Sequence, residues 1–363
     1  MTDLRKLVIP RRQALFTALG AAASLMLPAC AATVIPVSAQ KLPRWRGFNL
    51  LEKFIFEYDA PFREADFDFV AEFGFDYVRL PLDYRIWTDE MGGYREARLR
   101  EIDQAIALGR ARGIHVTLCL HRAPGFCVNP PKEALDLWGD GKEGDTARTL
   151  FAGQWRMFAE RYRGIPSTAL SFNLVNEPPD ISEDIYYRTV AVAVEAIHGA
   201  DPHRLILADG RGGGRNPTPK LASLGIAQSG RGYEPFHLTH YKASWVKDSA
   251  SWPVPTWPLQ ESWGAVDQKT LWRDYIAPWQ ALEKLGVGIF VGEWGVFRHT
   301  PHAVALAWMQ DSLKNWKEAG WGWCLWNLRG DFGPLESRRA DVAYEDYKGL
   351  KLDRSMLELL RRY

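Results

Sequence analysis

From residue 45 onward, short apolar runs alternate with stretches whose apolar positions recur every three or four residues. The runs at 45–50, 75–82, 114–121, 169–176, 204–209, 236–241, 288–293 and 321–327 predict eight strands. Between them, 62–73, 97–112, 146–162, 182–198, 270–285, 303–319 and 354–363 predict helices; in the first, Phe62, Ala65, Phe69, Val70 and Phe73 share one face. Gly113, Gly199, Gly286 and Gly320 are expected just past helix ends, as C-terminal caps. Eight strands alternating with helices imply one α/β domain with a parallel sheet. A closed (β/α)8 TIM barrel is preferred to a doubly wound open sheet, because polar residues close most of the strands instead of gathering at one crevice. The longer inserts at 122–145, 210–222 and 242–269 then belong on the face where the strands end, and are expected to shape a cleft there.

Two strand ends carry acids. Ala169-Leu170-Ser171-Phe172-Asn173-Leu174-Val175 is closed by Asn176-Glu177-Pro178, where the proline stops the strand. Gly288-Ile289-Phe290-Val291-Gly292 is closed by Glu293. Taken singly, each is an ordinary surface acid at a strand end. As a pair far apart in sequence on one barrel face, they are what glycoside hydrolysis requires: one acid protonates the departing oxygen and the other attacks the anomeric carbon.

The ends of the other strands supply Arg79, His121, the adjacent His240-Tyr241, and Trp326. This set, in this order, resembles glycoside hydrolase family 5, the cellulase-type members of the retaining barrel clan. The resemblance covers nearly all of the chain after residue 40, including Arg46-Gly47-Phe48-Asn49-Leu50 and Tyr347-Lys348-Gly349-Leu350-Lys351-Leu352-Asp353. It implies Glu177 as general acid/base and Glu293 as nucleophile. Arg79 is then expected to keep Glu293 ionised, and Tyr241 to donate a hydrogen bond to it. Asn176 is expected to hold the sugar 2-hydroxyl, with His121 and His240 contacting hydroxyls or orienting the acids. Trp326 is expected to floor the sugar, and Trp245 is the first choice among Trp138, Trp245 and Trp263 for an outer subsite. Two positions depart from the family pattern. Cys119 stands where the family often has a polar residue or an acid, and the strand-six tyrosine often sits two residues after its histidine, not next to it.

Bulk properties change this picture little. The chain has 363 residues, 47% hydrophobic, with a formal net charge of +1, so no electrostatic bias toward nucleic acid arises. Sixteen tryptophans fit core packing and also fit stacking on sugar rings. Arg11-Arg12 before the uncharged stretch 13–28 resembles a twin-arginine export signal, and Leu27-Pro28-Ala29-Cys30 resembles a lipoprotein cleavage box. Residues 1–40 are therefore expected to be a leader and short linker, and 41–363 the catalytic barrel. The mature protein is expected in the periplasm or outside the cell, free or lipid-anchored at Cys30. Cys119, Cys127 and Cys324 make a poor disulfide framework; Cys119 and Cys324 are expected as buried apolar fillers. No metal-ligand spacing occurs, and no cofactor is implied.

The expected activity is that of a monomeric retaining β-glycosidase on glucan-type polysaccharides or oligosaccharides, led by endo-β-1,4-glucanase. Exo-acting β-glucosidase, β-1,3- or β-1,6-glucanase and β-mannanase readings share the same residues. A non-catalytic carbohydrate-binding barrel is the alternative of a different class.

Overall fold

Eight parallel strands hydrogen-bond in a closed ring in the computed structural model, which describes residues 37–89 and 91–363. Arg11-Arg12 and Cys30 lie outside the described residues. The strands are β1 (Arg46–Asn49), β2 (Tyr77–Asp83), β3 (His115–Ala123), β4 (Leu170–Asn173), β5 (Leu205–Asp209), β6 (Ala227–Gly232), β7 (Ile289–Trp294) and β8 (Gly322–Leu325). Each pairs with the next, and β1 closes the ring against β8 with Arg46 opposite Trp323. The helices outside are α1 (Glu64–Glu72), α2 (Glu96–Ala111), α3 (Gly141–Arg161), α4 (Glu183–Ala200), α5 (Ala277–Glu283), α6 (His302–Ala319) and α7 (Arg354–Arg362).

Alternation along the strands sorts the interior into layers. At the N-terminal ends, Trp45, Tyr77, Leu205, Ala227 and Phe290 form an apolar plug, with the Trp45 ring stacked 3.7 Å from that of His115. At the C-terminal ends the same inward parity presents Asn49, Arg79, Cys119, Asn173, Asp209 and Arg231. On β7 a shift of register between Val291 and Glu293 turns Glu293 toward the interior. Gly292 makes that bulge possible, since a Cβ there would lie 2.3 Å from Ser229 Oγ.

Seven strands coincide with the expected runs to within a few residues; the sixth does not. Phe236–Thr239 is a helical turn with Pro235 at its N-cap, and the barrel's sixth strand is Ala-Gln-Ser-Gly-Arg-Gly at 227–232. The alternation in Phe236-His237-Leu238-Thr239-His240-Tyr241 imitates a strand. The true strand carries no apolar signature, because Ser229 and Arg231 serve the interior while Gly230 and Gly232 face outward under tryptophans. Their missing bulk comes from Trp279 of α5 and Trp316 of α6, which pack onto the bare backbone. A smaller correction concerns Gly199, which lies inside α4 and caps nothing. Gly320 does end α6 in the left-handed conformation, at φ 79°.

A methyl group at residue 232 would sit 2.6 Å from Trp316 Cζ2 and 2.9 Å from Trp294 Cβ. Gly232→Ala is therefore expected to destabilise the fold by roughly 1–3 kcal/mol, read as a lower urea midpoint at unchanged slope.

Candidate active site

Arg79 organises the interior end of the strands. Its Nη1 donates to Glu293 Oε1 at 2.5 Å and to Asn49 Oδ1 at 3.0 Å. Its Nη2 donates to Asn176 Oδ1 at 2.9 Å and to Cys119 Sγ at 3.0 Å, and Nε donates to Asn173 Oδ1 at 2.9 Å. Cys119 is thus an acceptor for a guanidinium, more than the filler expected of it; burial pushes its thiol up to about 12. Cys324 is similarly placed, 3.3 Å from Asn49 Nδ2.

A second buried guanidinium, Arg231 on β6, joins the cluster. It donates from Nη2 to Asn176 Oδ1 at 2.9 Å and to Asp209 Oδ2 in a short ion pair, and it lies 3.1 Å from Glu293 Oε1. Its Nε reaches Glu177 Oε1 at 3.3 Å. Asp209, closing β5, accepts from Asn173 Nδ2 and from the backbone N–H of Glu177, both at 3.0 Å. That last bond holds Glu177 at φ 48°, a left-handed conformation rare for a non-glycine residue and found where surrounding structure imposes it.

The two acids sit in unequal surroundings. Glu293 is 3% exposed and has both guanidiniums on Oε1, while among the described residues Oε2 accepts only from Tyr233 Oη, at 3.3 Å. Glu177 has one guanidinium contact, and its carboxyl is pushed up to about 7, first by burial and then by the charge of Glu293. Two guanidiniums face three carboxyls here, so charge balance calls for one carboxyl to hold a proton. Glu177, least supported by cations, is the one that holds it.

Asn176 has its amide oxygen fixed by the two arginines, which can only donate. Its Nδ2 is consequently turned away, buried and without a partner among the described residues. His121 stands 2.7 Å by Nε2 from Asn129 Oδ1, and burial lowers its basicity; because the amide oxygen can only accept, Nε2 carries the proton and Nδ1 is an acceptor without a partner among the described residues. Trp326, partly exposed, stacks at 5.9 Å on His121, and Phe54 lies edge-on to both rings.

The sixth-strand displacement carries two expected residues away from the carboxylates. The hydrogen bond expected of Tyr241 is made by Tyr233, and Tyr241 is buried beside Lys242. His240 stacks on Phe236 at 3.8 Å, bonds Thr239 Oγ1 and lies edge-on behind Tyr233; burial lowers its pKa to about 3. It braces the tyrosine and makes no bond to either acid. The residue two before Tyr233, where the family pattern puts histidine, is Arg231. Trp245 is 59% exposed and packs edge-on against Phe297, whereas Trp138 is buried between Phe126 and Tyr186.

Arg231, Asp209, Tyr233 and Phe54 were missed from sequence. Asp209 had a signal, since it closes an apolar run just as Glu293 does. Arg231 and Tyr233 had none once strand six was misplaced.

A family model described as Cellulase (glycosyl hydrolase family 5) matches residues 37–331. Endoglucanase C of Acetivibrio thermocellus is 25% identical over 317 residues, spanning 79% of this chain and 90% of the relative. A crystal structure of a glycoside hydrolase superposes with TM-score 0.83 at 40% identity, covering 88% of this chain and 99% of that one. Endoglucanase Cel5A from Thermotoga maritima superposes with TM-score 0.71 at 20% identity, covering 87% and 96%.

The two tyrosines separate cleanly in an assay. Tyr233→Phe is expected to lower kcat on an aryl β-glycoside by about tenfold or more, the size of one lost hydrogen bond to a charged group. Tyr241→Phe, which removes nothing that touches Glu293, is expected to keep kcat within about twofold of the parent.

Proposed function

The chain belongs to glycosyl hydrolase family 5, and from that membership and the strand-end geometry we propose an exported, retaining endo-β-glucanase. β-1,4-Glucan is the leading substrate. The carrying observation is a single guanidinium, Arg231, in contact with both Glu177 and Glu293. Carboxyls that share one small cation favour the roughly 5 Å spacing of retaining enzymes over the wider gap that admits a water between the acids.

In the first half-reaction Glu293 attacks the anomeric carbon through Oε2, the oxygen not taken up by guanidiniums. Glu177 gives its proton to the departing oxygen as the glycosidic bond breaks. Asn176 Nδ2 donates to the sugar 2-hydroxyl, a contact that tightens as positive charge develops on the ring. His121 Nδ1 accepts from a neighbouring hydroxyl, and Trp326 supplies the apolar floor. In the second half-reaction Glu177 takes a proton from water, the water attacks the anomeric carbon, and Glu293 leaves as a carboxylate.

Endo-action is supported by aromatic surface on both sides of the acids. Phe54 leads to Tyr58, 61% exposed, on the side of β1. Phe332 and Phe297 lead to Trp245 on the side of β6 and β7. A chain lying across the site would find a stacking partner at either end. Export rests on the leader pattern around Arg11-Arg12 and Cys30 alone, and a monomer suffices for the reaction because both acids come from one barrel.

Two measurements test this reading. Proton NMR of the first-formed product from cellopentaose is expected to show the β-anomer before mutarotation; initial α-anomer would exclude retention. The alkaline limb of kcat/KM is expected near pH 7, because activity falls as Glu177 loses the proton it must donate. Glu177→Gln is expected to abolish that limb along with most turnover of substrates with poor leaving groups.

A further inference from the structure

Arg231 is placed to act on both half-reactions in unequal measure. Among the described residues it is the only cation ion-paired to Glu177, whereas Glu293 also has Arg79 at 2.5 Å. Its head is anchored by Asp209 and Asn176. Its stem is sheathed by Gly214, at φ 81°, where a Cβ would lie 2.4 Å from Arg231 Cγ. The loop carrying Gly214 is tied in turn to the residue after Glu177, through the Gly213 N–H donating to Pro178 O at 2.8 Å. The guanidinium is therefore built in between the acids, 2% exposed, and lacks room to follow either one.

During the reaction a negative charge has to change owner. Before attack, Arg79 and Arg231 balance Asp209 and Glu293 while Glu177 is neutral. Once Glu293 is esterified and Glu177 has given up its proton, the same two cations balance Asp209 and Glu177. Of the two acids that exchange the charge, Arg79 touches only the one that has lost it, its other carboxylate contact being Asp209 at 3.9 Å. Arg231 touches the acid that has gained it.

We infer that Arg231, held by Asp209, is a positioning residue whose fixed guanidinium balances the charge transferred from Glu293 to Glu177 and so enables Glu177 to serve as base in breaking the glycosyl-enzyme. This rests on the retaining reading above. Its distinctive consequence is that loss of Arg231 injures deglycosylation more than glycosylation.

The test uses dinitrophenyl β-cellobioside, whose leaving group needs little acid help, with pre-steady-state recording. The parent is expected to show a burst of dinitrophenolate. Arg231→Met is expected to keep the burst, lose steady-state turnover by roughly 100-fold, and recover much of it with azide, which attacks the glycosyl-enzyme without needing a base. Its alkaline limb on poor leaving groups is expected to move upward, since the cation favouring ionised Glu177 is gone. Arg231→Lys is expected to fall between the two. The double variant Arg231→Met with Asp209→Asn removes the buried pair together and keeps the test open if the single variant misfolds. Burst and turnover lost in parallel without azide rescue in the folded variants, or turnover unchanged, would overturn the inference. A parent with no burst whose product is also the α-anomer would instead overturn the retaining reading.

Discussion

Two buried guanidiniums set against three carboxyls are the constraint on which the rest of this barrel depends. Arg79 and Arg231 are both almost wholly removed from water, an arrangement that is costly unless each charge and each donor is met. They are met by Asn49, Asn173, Asn176, Cys119, Asp209 and Glu293, drawn from β1, β3, β5 and β7 and from β4 with the turn that follows it. The strands' C-terminal ends are thereby fixed to one another through polar contacts, as their N-terminal ends are through the plug around Trp45 and Phe290. The cluster has one acid more than it has cations, and the surplus is resolved as a proton on Glu177. Acidity and architecture follow from the same charge count.

Backbone irregularities serve that count. The register shift on β7 turns Glu293 inward, and Gly292 gives it room. The left-handed Glu177 is held by Asp209, which also anchors Arg231. Gly230 and Gly232 let tryptophans of the outer helices press onto β6, so the strand carrying Arg231 is supported from behind without apolar side chains of its own. Strain and small residues gather where positioning matters and are sustained by the packing around them.

Much of this was legible in the sequence. Apolar runs placed seven strands, and the structure brings Arg79, His121, Asn176, Glu177, Glu293 and Trp326, from five of them, to one face. What failed was the one strand whose residues obey the site instead of the core. Ala227–Gly232 has no hydrophobic period because its inward positions are polar and its outward ones are glycine. The pattern in 236–241 offered a plausible substitute, and Tyr241 and His240 were drawn in with it. Asp209 was overlooked for a different reason: its strand was found, but an acid with no family role attached was read as a strand end only. A site is hardest to read where function has replaced the packing signal that usually reveals a strand.

A charge has to pass to Glu177 only if Glu293 becomes covalently attached to the sugar. Incubation with an activated 2-deoxy-2-fluoro-cellobioside, followed by intact-mass and peptide mass spectrometry, addresses it directly. One fluorocellobiosyl group per chain is expected, on the peptide containing Glu293 and absent from Glu293→Gln. A label on a different residue, or a parent that turns the reagent over by inversion without ever being labelled, would contradict it.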